Sequence, residues 1–335
     1  MLTPELLVAG VMLVALIVYT LTGGADFGGG VWDLLARGPR AREQRELIAE
    51  AIGPIWEANH VWMILVVVLM FVAFPTAFST VSIALHIPLT LMLIGIVLRG
   101  TSFVFRTYDV QSEAVHKRWS LVFSISSLVT PVFLGINIGA IVSGGIRVHP
   151  ANGIVKTGFI KPWLQPFPFV LGFFTLSLFA FLAAVYLVLE TSDKELQEDF
   201  RRKALLSGFT TGLLAWGCFF LSKSGAPIVH KGLSGVWWSI PFQALTAMVS
   251  LVTLGLLWKR SYRVARWAAM VQVSLILVGW GLAQFPFVVV PDLTFANTAA
   301  PRPLLRSILW ALLAGSFLLV PSFFYLYRLF KKEQL

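Results

Sequence analysis

Nine apolar runs of membrane-spanning length, parted by short charged or turn-rich connectors, leave this chain very little choice of architecture. They fall at residues 6–32, 53–74, 79–105, 119–142, 167–189, 204–222, 236–257, 264–285 and 306–327. A hydrocarbon core about 30 Å thick takes about 20 helical residues to cross, and it offers no water to unpaired backbone groups. The expected fold is therefore all-α and integral to a membrane, with nine transmembrane helices. Only 13% of residues are charged, against about 25% in ordinary soluble domains. The first run lacks a basic leader and continues past Thr22-Gly23-Gly24-Ala25-Asp26 into further apolar residues, so it reads as a retained helix rather than a cleaved signal.

An odd number of spans puts the termini on opposite sides, and the basic residues say which side is which. With the N-terminus outside, only Arg147, Lys156, Lys161, Lys223, Lys231, Arg302 and Arg306 are external. The inner connectors then hold Arg37 to Arg45, Arg99 to Arg118, Lys194 to Lys203, Lys259 to Arg266 and Arg328 to Lys332. Because basic residues stay preferentially on the cytoplasmic side, the C-terminus is expected there. The net charge of +10 is thus a topology signal, and nucleic acid is not an expected partner. A single cysteine, Cys218, excludes an internal disulfide or a cysteine-held cluster.

The connectors are small. Arg37 to Ala51 is charged with a helical pattern and is expected to lie along the cytoplasmic face before Gly53-Pro54 turns the chain into the bilayer, proline suiting a first helical turn. The outer loop Arg147 to Pro166 holds Pro150, Gly153, Gly158 and Pro162 and is too short for a folded domain. Asp193 to Lys203 reads as a solvated connector.

Ionisable residues inside spanning runs are costly, by roughly 2.5 to 3.5 kcal/mol on insertion scales, and mark candidate functional sites. Glu57 heads the second run, and His60, three residues on, shares its helical stripe. Asp26 lies near the inner end of the first run, in the same leaflet as Glu57. Together Asp26, Glu57 and His60 suit a proton relay; equally, Glu57 caps its helix and His60 is a packed core histidine. Asp26 sits among Gly23, Gly24, Gly28, Gly29 and Gly30, and the Gly24/Gly28 pair lets a neighbouring helix come close. Arg99, a turn or two inside the third run, is the expected ion-pair partner of Asp26 or Glu57, or else an interface anchor. Trp56 and Trp62 flank Glu57 and either wall it from lipid, line a quinone or oxygen route, or simply pack. His86 lies in the outer half of the third run, so His60 and His86 do not suit one metal, and no pair of axial haem ligands stands out. No metal site is expected.

Three motifs carry a family resemblance: Thr22-Gly23-Gly24-Ala25-Asp26-Phe27-Gly28, Pro54-Ile55-Trp56-Glu57-Ala58-Asn59-His60-Val61-Trp62, and Leu98-Arg99-Gly100-Thr101-Ser102-Phe103-Val104-Phe105-Arg106. Together they closely resemble subunit II of cytochrome bd-type quinol oxidases, including the cyanide-insensitive branch, and weaker likeness runs along essentially the whole chain. The resemblance implies two four-helix bundles, in residues 1–146 and 164–285, and a peripheral last helix with a tail in 306–335. It implies a bacterial cytoplasmic membrane, quinol and oxygen as substrates, and a larger subunit I that carries haem b and haem d, or haem b alone. A bound quinone and a small single-helix subunit belong to some members. By the motif, Glu57 matches the family's Trp-Asp/Glu acid and Asp26 its first-helix aspartate, on a proton-uptake path from the cytoplasm. A proton-coupled secondary transporter and a purely structural membrane subunit are the alternatives; the transporter reading expects broken helices in both halves, and only the first half has one.

Overall fold

The computed structural model describes residues 3–53, 56–108, 113–149 and 154–330. Pro54, Pro150, Gly153, Lys331 and Lys332, and the side chains of Arg106 and His116, lie outside what is described. In chain order the elements are α1 (Pro4–Leu35), α2 (Ala41–Ile52), α3 (Trp56–Ala73), α4 (Pro75–Ala84), α5 (His86–Tyr108), α6 (Glu113–Val142), α7 (Pro166–Leu187), α8 (Lys194–Gly225), α9 (Pro227–Ser234), α10 (Ser239–Trp258), α11 (Tyr262–Gln284), β1 (Phe287–Val289), β2 (Leu293–Thr294), α12 (Phe295–Thr298) and α13 (Arg302–Phe330). Among the described residues, 9 helices are long and apolar enough to cross a membrane. They match the nine expected runs.

Helix α7 is the central post. Its residues from Leu178 to Val185 are all buried, as expected of a helix apolar on every side and surrounded by others. It packs against α1, α6, α8 and α11. In lipid there is little hydrophobic gain from bringing helices together, so close backbone approach and interhelical hydrogen bonds do more of the work. The glycines of α1 supply that approach: a Cβ on Gly28 would collide with the Phe179 carbonyl, and one on Gly24 with the Phe179 ring. Trp32 then donates its Nε1–H to the Ala180 carbonyl at 2.7 Å, fastening α1 to α7. By contrast, α13 touches α1 and α3 alone among its principal contacts, and none of its most apolar stretch is buried.

Two expected boundaries move. The third run does not form one helix from residue 79: α4 ends at Ala84, and α5 restarts at His86. Pro88 has no N–H to offer the Ala84 carbonyl, so the break falls there. The sixth run gains an N-terminal extension, because the Asp193 carboxylate accepts from the Glu195 and Leu196 N–H groups at 2.7 and 3.0 Å and starts α8 there. Asp193 to Lys203, expected as a solvated connector, is therefore mostly helix. The expected amphipathic inner segment forms as α2, which buries Gln44, Ile48 and Ile52.

On the opposite face, Asp292 joins two short hairpins by accepting from Arg147 Nε at 2.9 Å and the Val148 N–H at 3.0 Å.

Candidate functional site

A polar pocket forms where α1, α3 and α5 meet. Asp26 is 4% exposed and accepts a hydrogen bond from Asn59 Nδ2 at 2.7 Å. Arg99, on α5, is 1% exposed and lies within electrostatic reach of Asp26 and Tyr19. Its guanidinium carbon stands 4.6 Å from the Phe27 ring centroid and 5.3 Å from that of Phe123, so aromatic faces cover the cation where carboxylate does not. The Nε and Nη2 groups of Arg99 meet no hydrogen-bond acceptor among the described residues. Buried donors of this kind cost about 1–3 kcal/mol each unless water reaches them.

His60 completes the pocket. Its ring centroid lies 5.9 Å from Tyr19, 5.7 Å from Phe27 and 6.4 Å from Trp56. Trp56 also meets Phe103 at 5.8 Å, and Trp62 meets Phe323 of α13 at 5.3 Å. Both tryptophans are only partly buried.

Glu57 is not in the pocket. The sequence suggested a buried carboxylate beside Asp26, but Glu57 is exposed on the chain's outer surface while Asn59 is fully buried. Two residues along an α-helix turn the side chain by about 200°, so Asn59 and Glu57 face opposite ways. His60 lies about 60° round the helix from Glu57 and about 100° from Asn59, and its ring reaches inward to Tyr19 and Phe27 of α1. Arg99 accordingly belongs with Asp26 and is a buried cation, not an interface anchor. His86 is exposed on the far side of the bilayer, with Nδ1 3.0 Å from the Ile83 carbonyl. It lies 13 residues before Arg99 on α5, or roughly 20 Å of helix, so His60 and His86 do not form an axial pair.

Three residues escaped sequence reasoning. Tyr19 and Asp33 flank Asp26 at intervals of seven on α1, which puts all three on one side of that helix. Asp33 is 2% exposed and accepts from Ser124 Oγ of α6 at 2.9 Å. Asn59 is the third. The sevenfold spacing 19, 26, 33 was the available signal, and it continues through Gly23 and Gly30, which keep that face thin. A carboxylate line therefore runs along α1 from Asp33, near its C-terminal end, to Asp26, about 10 Å back along the helix. Titratable groups beside unpaired guanidinium donors are a chemistry that can hold and move a proton.

A model of the family described as cytochrome bd terminal oxidase subunit II matches residues 4–330. The chain is 23% identical over 330 residues to a provisionally named cytochrome bd menaquinol oxidase subunit II of Bacillus subtilis (strain 168), covering 95% of this chain and 92% of that one. It is 24% identical over 329 residues to the cytochrome bd-I ubiquinol oxidase subunit 2 of Escherichia coli (strain K12), covering 88% and 82%. Its fold matches a chain of the bd oxidase from Geobacillus thermodenitrificans with a TM-score of 0.76, at 22% identity and coverage of 98% and 99%.

Proposed function

Because the chain belongs to the cytochrome bd terminal oxidase subunit II family, and so is a membrane subunit of a bd-type quinol oxidase, we propose that it carries protons from the cytoplasm toward the site of oxygen reduction. The observation that carries this reading is the buried Asp26, held by Asn59 and faced by the open N–H donors of Arg99. The family's haems sit on subunit I, which supplies the electron transfer and oxygen chemistry. This chain's residues hold and pass protons. A proton arrives at the inner end of α1 beside Asp33 and Ser124. Water held against Arg99 bridges to Asp26, whose carboxyl stores the proton before release toward subunit I. Tyr19 and His60 close the pocket above.

Glu57 has a different part in this account. It begins the exposed stripe Glu57, Val61, Ile64, Val68 and Phe71 of α3, spaced in alternating fours and threes like the seam of a helix pair. A carboxylate facing lipid is expensive, so this face is where subunit I docks, and Glu57 receives or delivers protons across that interface. Trp56 and Trp62 border the same face, where a quinone or oxygen route would run. The orientation follows the basic connectors, with the N-terminus outside and Lys194 to Lys203 in the cytoplasm. The chain forms two four-helix bundles and a peripheral α13 in this reading.

The test is quinol-driven oxygen consumption by the assembled complex carrying Asp26→Asn. Loss of a positioned proton carrier is expected to slow turnover by roughly a hundredfold at unchanged haem content. Turnover equal to wild type from pH 6 to 8 would contradict the proposal.

A further inference from the structure

We infer that the junction of α1, α2 and α8 on the cytoplasmic side is a binding site for a phosphate group, supplied by the headgroup of an anionic membrane phospholipid. A cavity of about 220 Å³ opens there, walled by Arg37, Arg40, Arg202 and Lys203 against a single carboxylate, Asp199. That carboxylate is fully engaged. Its Oδ2 accepts from Arg40 Nε at 2.9 Å and from Gln44 Nε2 at 2.8 Å, and its Oδ1 accepts from Arg40 Nη2 at 2.8 Å. Asp199 therefore fixes Arg40 rather than neutralising the cavity.

The remaining cations are held ready. Lys203 donates to Gln44 Oε1 at 2.7 Å, with its Nζ 4.6 Å from the Phe200 ring centroid and 5.5 Å from that of Trp32. It is a half-buried cation with two protons left to give. Arg202 reaches Glu198 only at 3.3 Å, and Glu198 is already shared with Arg201 at 2.6 Å and Arg260 at 3.4 Å. At the rim, Glu195 pairs with Arg40. Arg37 is exposed at the cavity mouth. The wall at Pro39 and Arg40 is also the start of α2, whose N-terminus no side chain caps, and free helix-end N–H groups favour anions.

A phosphodiester fits what is assembled: a compact anion, several charge-assisted donors, and the half-exposed Leu35 beside them on the membrane side. Basic pockets between helices at the cytoplasmic leaflet take anionic headgroups for these reasons. The lipid source rests on the orientation given above; the phosphate site does not.

The experiment uses the intact complex with subunit I, delipidated in detergent and titrated with phosphatidylglycerol or phosphatidylcholine while bound lipid is counted by native mass spectrometry. Arg37→Gln with Lys203→Gln is expected to weaken phosphatidylglycerol binding by roughly tenfold or more, with phosphatidylcholine unaffected. Arg42→Gln, which removes an exposed cation outside the cavity, is expected to leave binding unchanged. Displacement of the lipid by millimolar inorganic phosphate, with the same sensitivity to the double variant, would keep the phosphate site and overturn the lipid as its source. Equal phosphatidylglycerol binding by wild type and double variant, with the haem spectrum intact, would overturn the site itself. If the double variant does not assemble, the exposed Arg37→Gln alone decides, by the same loss or retention.

Discussion

At the residue scale the pocket turns on one buried cation beside one buried carboxylate. Asp26 and Arg99 are both buried and within electrostatic reach of each other, so removing the carboxylate strands a buried cation. Asp26→Ala is expected to destabilise the assembled complex by about 3 kcal/mol or more, read from its unfolding midpoint in a denaturing-detergent titration. Pairing it with Arg99→Met removes the stranded cation and is expected to recover most of that loss. Additive effects of the two substitutions would mean that Asp26 and Arg99 do not act on each other. Both residues were legible in the sequence, because a charge inside an apolar run stands out. The direction of Glu57 was not. Helix α3 is apolar on both sides, so nothing in its pattern distinguishes the face of Asn59, Val66 and Ala73, which is buried, from that of Glu57, Val61 and Ile64, which is not. Asp33 was missed for a simpler reason. It sits just beyond the end of the first apolar run, where a charge looks like the start of a loop, yet α1 continues two residues further.

At the element scale, the charged flanks are held by partners far away in the sequence. The start of α8 and the whole of α2 are tied by Arg40 to Asp199, a pairing of residues 159 apart that no local pattern announces. The outer hairpins are tied in the same way at Asp292. Burial works against ionising this carboxyl, but the bonds from Arg147 and the Val148 N–H outweigh it and hold its pKa below the ordinary value. A carboxyl whose pKa is lowered by folding stabilises the structure above its unfolded pKa of about 3.9, and that contribution disappears as the pH falls through the lower folded value. Amide exchange at Val148 is expected to stay slow from pH 7 down to about 4 and to lose its protection below that. Asp292→Asn is expected to speed exchange at pH 7 and to flatten the acid dependence. An unchanged profile in the variant would remove Asp292 as the tie.

At the scale of the whole molecule, α7 gives the chain a centre, α1 lays its glycine face on that centre, and the opposite side of α1 is left to carry polar groups. Spans and fold class were legible because the bilayer imposes length and apolarity on every crossing. The arrangement of helices was not, since it depends on which small residues meet, as Gly28 meets Phe179. The resulting cluster is buried against α1, and α3 turns Glu57 outward from it to an exposed face. Proton delivery through this chain is the claim that joins these parts. Its most direct test is proton uptake from the cytoplasmic side, followed with a pH indicator dye during a single turnover of the reduced complex reacting with oxygen. In the Asp26→Asn complex, uptake is expected to slow by roughly a hundredfold while the early haem–oxygen spectral change keeps its rate. Uptake at the wild-type rate in that variant would contradict the account.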